Sequence, residues 1–288
     1  MRSILPDALS LAGRQRPGST YLAGAPLLIA HRGGAALAPE NTMLAFRRAA
    51  EWWRADVLEV DVHATQDGEA VVIHDPTVDR TTDGAGAVAA LTLSELCALD
   101  AGYHFSGDGG ATHSFRGMGA SIPTLVEVLR ELPGLRINVE VKDSRAQPAV
   151  WDAVHGANAA HRVLIAAGTR GNRSRFDRGY AGATSAAESE IFSFWLHLQL
   201  RAGRLARPTV DAFQVPERHR RLQVVSPRFI RAAHARNIAV HVWTVNEETA
   251  MRRLLEWGVD GLVTDRPDIL ARVLHETHGR PLPPGEPE

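Results

Sequence analysis

Short apolar, β-branched runs alternate along the chain with longer stretches of helical periodicity. Strand patterns fall at residues 27–30, 57–63, a segment ending at 142, 162–166, 210–215, 238–245 and 260–264, with a weaker candidate at 183–186. Helical patterns separate most of them, at 124–132, 148–159, 187–204, 227–236, 247–257 and 267–275. A further helix, MLAFRRAAEWW from Met43, follows a cap at Asn41 or Thr42. About eight strands alternating with helices over roughly 250 residues is the arithmetic of an α/β (β/α)₈ TIM barrel. The rhythm breaks at 76–121, a polar, glycine-rich stretch with one short helical pattern, LSELCALD. It reads as a small insertion after the second strand, lying over the barrel mouth, because it is too short and polar for a core of its own. Residues 1–26 are then an N-terminal extension, 27–275 the barrel, and 276–288 a Pro- and Gly-rich tail expected to be disordered.

Composition narrows the function classes. With 44% hydrophobic residues the chain can bury a large core, and its formal net charge of -1 implies no global attraction to nucleic acid or to an anionic membrane. The lone Cys97 excludes an intramolecular disulfide and a cysteine zinc site, and reads as a buried small hydrophobe. No run approaches the ~18 apolar residues of a membrane span, so no stable membrane anchoring is expected. The first residues are interrupted by Pro6, Asp7 and Arg14 before a signal-peptide core can form, which predicts a cytoplasmic product. IFSFWLHLQL, residues 191–200, is apolar enough to suggest lipid contact, but a buried barrel helix is the favoured reading.

The chemistry concentrates in residues 57–75, VLEVDVHATQDGEAVVIHD. Glu59 and Asp61 alternate on a strand, so both side chains leave one face. Two carboxylates on one face repel unless a positive charge lies between them, which makes a bound cation the natural explanation. The Asp67-Gly68 turn returns the chain toward His74. A two-residue loop sets Asp61 opposite His74, whereas a three-residue loop with a glycine bulge slides the pairing by one place. His31 and Arg32 end the strand LLIA, at the strand tip where α/β sheets place their active sites, and Gly33-Gly34 would let the backbone approach a ligand. The strand RINVEVK carries Glu140 and Lys142 on one face. Lys142 is the only lysine in 288 residues, the other 31 of the 32 basic residues being arginine. Its retention suggests a compact point charge beside a phosphate or carboxylate, a role a guanidinium cannot fill.

These residues, taken in order, resemble the signature of the glycerophosphodiester phosphodiesterase family: His31-Arg32-Gly33 with Glu40-Asn41-Thr42, Glu59-Val60-Asp61, the stretch from Thr65 through His74-Asp75, Arg80-Thr81-Thr82, Ile122-Pro123-Thr124-Leu125, Val139-Glu140-Val141-Lys142, Val242-Trp243-Thr244-Val245-Asn246, and Gly258-Val259-Asp260-Gly261 with Thr264-Asp265. The resemblance spans residues 27–274 and implies a TIM barrel with an insertion after the second strand. It gives Glu59, Asp61 and Glu140 as ligands of one divalent cation, His31 and His74 as an acid-base pair, and Arg32 and Lys142 as holders of the phosphate oxygens. An all-oxygen carboxylate site favours Mg²⁺ or Ca²⁺ over zinc. Histidine titrates near working pH, as the base for an attacking hydroxyl and the acid for a departing alkoxide require.

The resulting expectation is hydrolysis of a small-molecule glycerophosphodiester to glycerol 3-phosphate and an alcohol. Two other readings stay open: a lysophospholipid substrate cleaved at the same site in the manner of a lysophospholipase D, and a non-catalytic phosphodiester-binding protein. Trp243 could form an apolar wall for the substrate's carbons. His63 shares the face of Glu59 and Asp61 as a candidate neighbour of the ligands, and His241 reads as barrel packing. The histidine roles, the head group, the physiological metal and the oligomeric state are not readable from the residues.

Overall fold

The computed structural model describes residues 20–201 and 208–287. Most of the predicted N-terminal extension and the end of the 187–204 helix pattern lie outside the described residues. In chain order the strands are β1 (Leu27–His31), β2 (Val57–Ala64), β3 (Ala70–Val72), β4 (Arg136–Val141), β5 (Val163–Ala166), β6 (Ala183–Thr184), β7 (Ala212–Pro216), β8 (Arg218–His219), β9 (Leu222–Gln223), β10 (Ala239–Trp243) and β11 (Gly261–Thr264). The helices are α1 (Met43–Glu51), α2 (Leu93–Cys97), α3 (Leu125–Glu131), α4 (Gln147–Gly156), α5 (Glu188–Gln199), α6 (Pro227–His234), α7 (Glu248–Glu256) and α8 (Pro267–His278).

Eight of the strands pair in parallel in the order β6-β5-β4-β2-β1-β11-β10-β7. A parallel bridge between Ser185 and Ala212 brings the two ends of this sheet together, giving a nearly closed (β/α)₈ barrel. Because helices cover the outside and side chains fill the lumen, the strands are buried on both faces; every residue of β2 is buried. Leu28, Ala30, Leu58, Val60 and Val62 face the helices, while Leu27, Ile29, Val57, Leu164, Ala212, Ala239 and Val263 fill the lower lumen with Tyr21 and Leu22. The two-residue alternation that buries Val57 inward therefore also points Glu59 and Asp61 inward, one and two steps nearer the mouth.

Helix starts follow local chemistry. Thr124 and Ser226 cap α3 and α6 through their side chains, and α3 adds a capping box with Glu127. Beneath the barrel, Arg136 donates to the carbonyls of Tyr21 and Asp56, and Arg280 holds Asp56 through both guanidinium nitrogens at 2.6 and 2.9 Å. That second contact, with the Gly285 amide on the Trp52 carbonyl, docks part of the tail expected to be disordered. Its Pro- and Gly-rich composition opposes helix but does not prevent docking onto a neighbouring surface.

The fold selects between the two hairpin loops left open, overturns the reading of Cys97 and shows what the insertion packs on. The hairpin pairs Val62 with Val72 and Ala64 with Ala70, so Asp61 faces Ile73 and not His74. Gly68, at φ +86°, supplies the left-handed residue of the longer loop, which slides the register by one place. Cys97 is exposed. The short α2 turns Leu96 inward onto β3, which leaves the next residue on the outer side. The insertion, too polar for an independent core, borrows one: Val78, Val88, Leu96 and Ala101 pack with Ile122 on Val71 and Ile73 of the hairpin.

Candidate active site

The parallel register assembles the site. His31 pairs with Glu59 across β1 and β2, and Asp61 pairs with Glu140 across β2 and β4, all on the lumen side near the strands' C-terminal ends. The Glu59, Asp61 and Glu140 carboxylates converge, each offering an oxygen within 4.8 Å of the others. After β1 the chain turns sharply, with Arg32, Gly33, Gly34 and Asn41 all at positive φ. A Cβ on Gly33 would lie 2.8 Å from Ala45, and one on Gly34 would lie 2.9 Å from Pro267. The glycine pair thus admits α1 and the start of α8 close to the turn. The turn aims the Arg32 amide at Glu59 (3.1 Å) and the Asn41 amide group at Asp61 (3.0 Å), while Thr42 caps α1.

Charge in the cluster is unevenly balanced. Lys142 lies 3.0 Å from Asp61 and 2.9 Å from Glu140, and Arg32 lies 3.1 Å from Asp61 while also donating to Glu40 at 2.9 Å. Both basic residues read as phosphate holders rest on carboxylates here. Burial, with the adjacent Asp61, pushes the Glu59 carboxyl well above the ordinary carboxylate range. Burial alone would raise Asp61 too, but Lys142 and Arg32 outweigh it and hold that carboxyl low. Asp61 Oδ1 is buried and accepts no hydrogen bond of good geometry, although the Lys142 ammonium lies beside it. Three converging carboxylates, one destabilised by burial and one with an unsatisfied oxygen, fit an oxygen-ligated divalent cation.

Each histidine presents Nδ1 to a carboxylate. His31 Nδ1 lies 2.6 Å from Asp265 Oδ1, and Asn246 holds the other Asp265 oxygen at 2.8 Å while accepting from the Asp265 amide at 2.9 Å. Burial would lower the His31 pKa, but the Asp265 hydrogen bond and the Glu59 charge outweigh it, so the group titrates above its ordinary value. His74 Nδ1 lies 2.6 Å from Asp75 Oδ1, Arg80 donates to the other Asp75 oxygen, and Arg80 also bonds Glu40 at 2.7 and 2.8 Å. Arg80 and His74 together drive the Asp75 carboxyl, against its burial, down to about 2. With Nδ1 engaged in this way, Nε2 is the nitrogen left to exchange a proton.

All the predicted ligands, both histidines, Arg32 and Lys142 lie at this mouth, and Trp243 stands on its rim at the end of β10 beside Pro216, 43% exposed. His63 bonds the His74 carbonyl at 3.0 Å, so it props the hairpin, and His241 is fully buried against Tyr21. Asp265, Asn246, Asp75, Arg80 and Glu40 stand in the family motifs with no role that the residues alone reveal. Of their contacts only His74-Asp75 is visible locally, as a neighbouring pair.

Fold and site together define a TIM-barrel hydrolase of phosphoric diesters. Residues 31–269 match the model of the glycerophosphoryl diester phosphodiesterase family, and the chain belongs to that family. A probable glycerophosphodiester phosphodiesterase 2 of Mycobacterium tuberculosis is 33% identical over 258 residues, covering 87% of this chain and 91% of the relative. A glycerophosphodiester phosphodiesterase of Caldanaerobacter subterraneus is also 33% identical, covering 87% and 98%. Among solved structures, the glycerophosphoryl diester phosphodiesterase domain of an uncharacterised M. tuberculosis protein shares the fold, with a TM-score of 0.76 at 20% identity over 88% of this chain and 99% of that one. A phosphodiesterase of Oleispira antarctica, solved in complex with the product sn-glycerol-3-phosphate, has a TM-score of 0.68 at 25% identity over 87% and 97%.

Proposed function

We propose that the chain hydrolyses small glycerophosphodiesters to glycerol 3-phosphate and an alcohol, with Glu59, Asp61 and Glu140 holding one divalent cation, Mg²⁺ or Ca²⁺. The observation that carries the reading is the convergence of those three carboxylates beside two imidazoles, each backed on Nδ1 by its own carboxylate. The product bound to the Oleispira enzyme supports the substrate class. When bound, the cation would neutralise phosphoryl charge as it builds. Lys142 and Arg32 fix the ligand carboxylates and present positive charge toward a phosphate at the mouth. One imidazole accepts the proton of the attacking hydroxyl at Nε2, and the other gives a proton to the departing alkoxide. Asp265 and Asp75 hold the two rings in orientation and keep the proton on Nδ1 when the ring is neutral. Trp243 supplies an apolar rim for the glycerol or head-group carbons.

The test is release by purified protein of glycerol 3-phosphate from the glycerophosphodiesters of choline, ethanolamine and glycerol, and of choline from lysophosphatidylcholine, with and without a chelator. Release from the small diesters, lost on chelation and restored by Mg²⁺ or Ca²⁺, is the expected result. Undiminished release in chelator removes the cation from the account, and activity on the lysolipid alone transfers the site to the lysophospholipase D reading.

A further inference from the structure

Helix α5 is apolar on two faces. Ile191, Phe194 and Leu198 are buried against the barrel, as the sequence favoured. Phe192, Leu196 and Leu200, spaced four residues apart on the opposite side, are 59%, 39% and 68% exposed. A helix that only packed against the barrel would be polar on that side. The stripe continues onto a second element. The Trp195 indole donates to the Gln223 carbonyl at 3.2 Å, which ties α5 to the β8–β9 hairpin, and Leu222 on that hairpin is 50% exposed. The Phe192 and Trp195 rings stack 6.2 Å apart along the same face. The hairpin springs from the end of β7, where Pro216 pairs with the rim residue Trp243, so the patch lies next to the mouth of the active site.

Positive charge predominates on this face, with Glu188 and Glu190 confined to the first turn of α5. The hairpin reads RHRRLQ, with Arg218, Arg220 and Arg221 exposed and without an ion pair among the described residues. Neither residues 192–201 nor the hairpin contains an acidic residue, although the whole chain carries a net charge of -1. Arginines beside exposed Phe and Leu match a surface with anionic groups above and hydrocarbon below. We propose that α5 and the β8–β9 hairpin form an interfacial docking surface that holds the protein reversibly on anionic phospholipid bilayers, with the barrel mouth beside the membrane. The proposal concerns binding alone and does not depend on the catalytic reading.

The experiment is co-sedimentation of the full chain with sucrose-loaded vesicles, either pure phosphatidylcholine or equal parts phosphatidylcholine and phosphatidylglycerol. The protein is expected to sediment with the anionic vesicles, to stay in solution with the neutral ones, and to be released by high salt. Two triple variants are compared, Phe192→Ser with Leu196→Ser and Leu222→Ser, and Arg218→Ser with Arg220→Ser and Arg221→Ser. Each should lower the partition coefficient roughly 100-fold or more while leaving hydrolysis of small diesters in solution unchanged. The triples differ in chemistry and location, so a folding defect in one, seen by circular dichroism, leaves the other to decide. Wild-type protein that ignores anionic vesicles, or folded variants that bind them equally, overturns the proposal. So does light scattering that shows the apolar triple dissociating a dimer, which would assign the face to a second copy of the chain.

Discussion

His31 and His74 make the same local contact in different mechanical settings. Each sets Nδ1 against a carboxylate at 2.6 Å. For His31 the partner and its support come from the ends of neighbouring barrel strands: the ring ends β1, Asp265 follows β11, and Asn246 follows β10. For His74 the partner is the next residue, held by Arg80, which reaches Glu40 in another loop. The His31 side chain is 18% exposed and that of His74 is 32% exposed, with Arg80 near half. A pairing fixed by sheet register is protected from solvent, whereas one fixed by a chain of half-exposed ion pairs is open to screening. The difference suggests a rigid side and an adjustable side to one pocket.

The largest expected effect removes what the two sides share. Asp61 contacts Asn41, Arg32 and Lys142. Asp61→Ala should therefore abolish both turnover and divalent-cation binding in a calorimetric titration, and added cation should not restore full activity. Unchanged cation affinity would dissolve the common centre and leave two unrelated halves.

Next is the lone lysine. Its ammonium fits between Asp61 and Glu140, a space that a longer planar fork cannot share with both carboxylates. Lys142→Arg should reduce kcat to within about a factor of three of Lys142→Met, with little change in Tm. Full activity in the arginine variant would make the lysine a compositional accident.

The comparison itself is sharpened by Asp265→Asn and Asp75→Asn. The first should cost roughly 10- to 100-fold in kcat, in the range of other lost orienting partners. It should also move the His31 titration, followed by NMR, to lower pH, because the Asp265 hydrogen bond helps hold that pKa up. The second should cost less, and the wild-type contribution it removes should shrink as salt is raised. Equal losses with equal salt dependence would show that the two settings do not differ in function.

Much of this was legible in the residues because burial and alternation are local. Seven of the eight barrel strands appear as apolar runs, and the inward direction of Glu59, Asp61 and Glu140 follows from their spacing from Val57 and within RINVEVK. β6 was the faintest because its two paired residues, Ala183 and Thr184, form no branched apolar run and it joins β7 only through the bridge at Ser185. The hairpin register turned on the backbone angle of one residue, Gly68, which both loop types allow. The role of Asp265 lay out of reach because it depends on barrel closure, 234 positions from His31 in sequence. The exposed side of α5 was hidden for a different reason. An all-apolar helix reads as buried, and only the fold shows Phe192, Leu196 and Leu200 exposed on one side.

The smallest effect lies below the pocket, at a ring whose two nitrogens have no hydrogen-bond partner among the described residues. His241 is fully buried, and burial depresses its pKa to about 4 from an ordinary value of 6.5. The unfolded chain takes up a proton as pH falls through about 6.5 and the folded chain does not until about 4. The stability held by the neutral ring is therefore complete above 6.5 and is lost over that window, on the order of 3 kcal/mol. His241→Gln should flatten the fall of Tm between pH 6.5 and 4 relative to wild type. Parallel Tm curves would mean that the ring is protonated or relieved in the fold.

The central claim, that carboxylates hold the cation while the histidines move protons, is tested most directly by calorimetric Mg²⁺ and Ca²⁺ titration beside diester kinetics on His31→Ala and His74→Ala. Each variant should lose roughly 10²-fold or more in turnover while binding the cation with wild-type affinity, and the double variant should lose less than the product of the two single losses. A His74→Ala protein that loses the cation yet turns over normally at saturating Mg²⁺ or Ca²⁺ would contradict the account, making His74 a ligand or a prop.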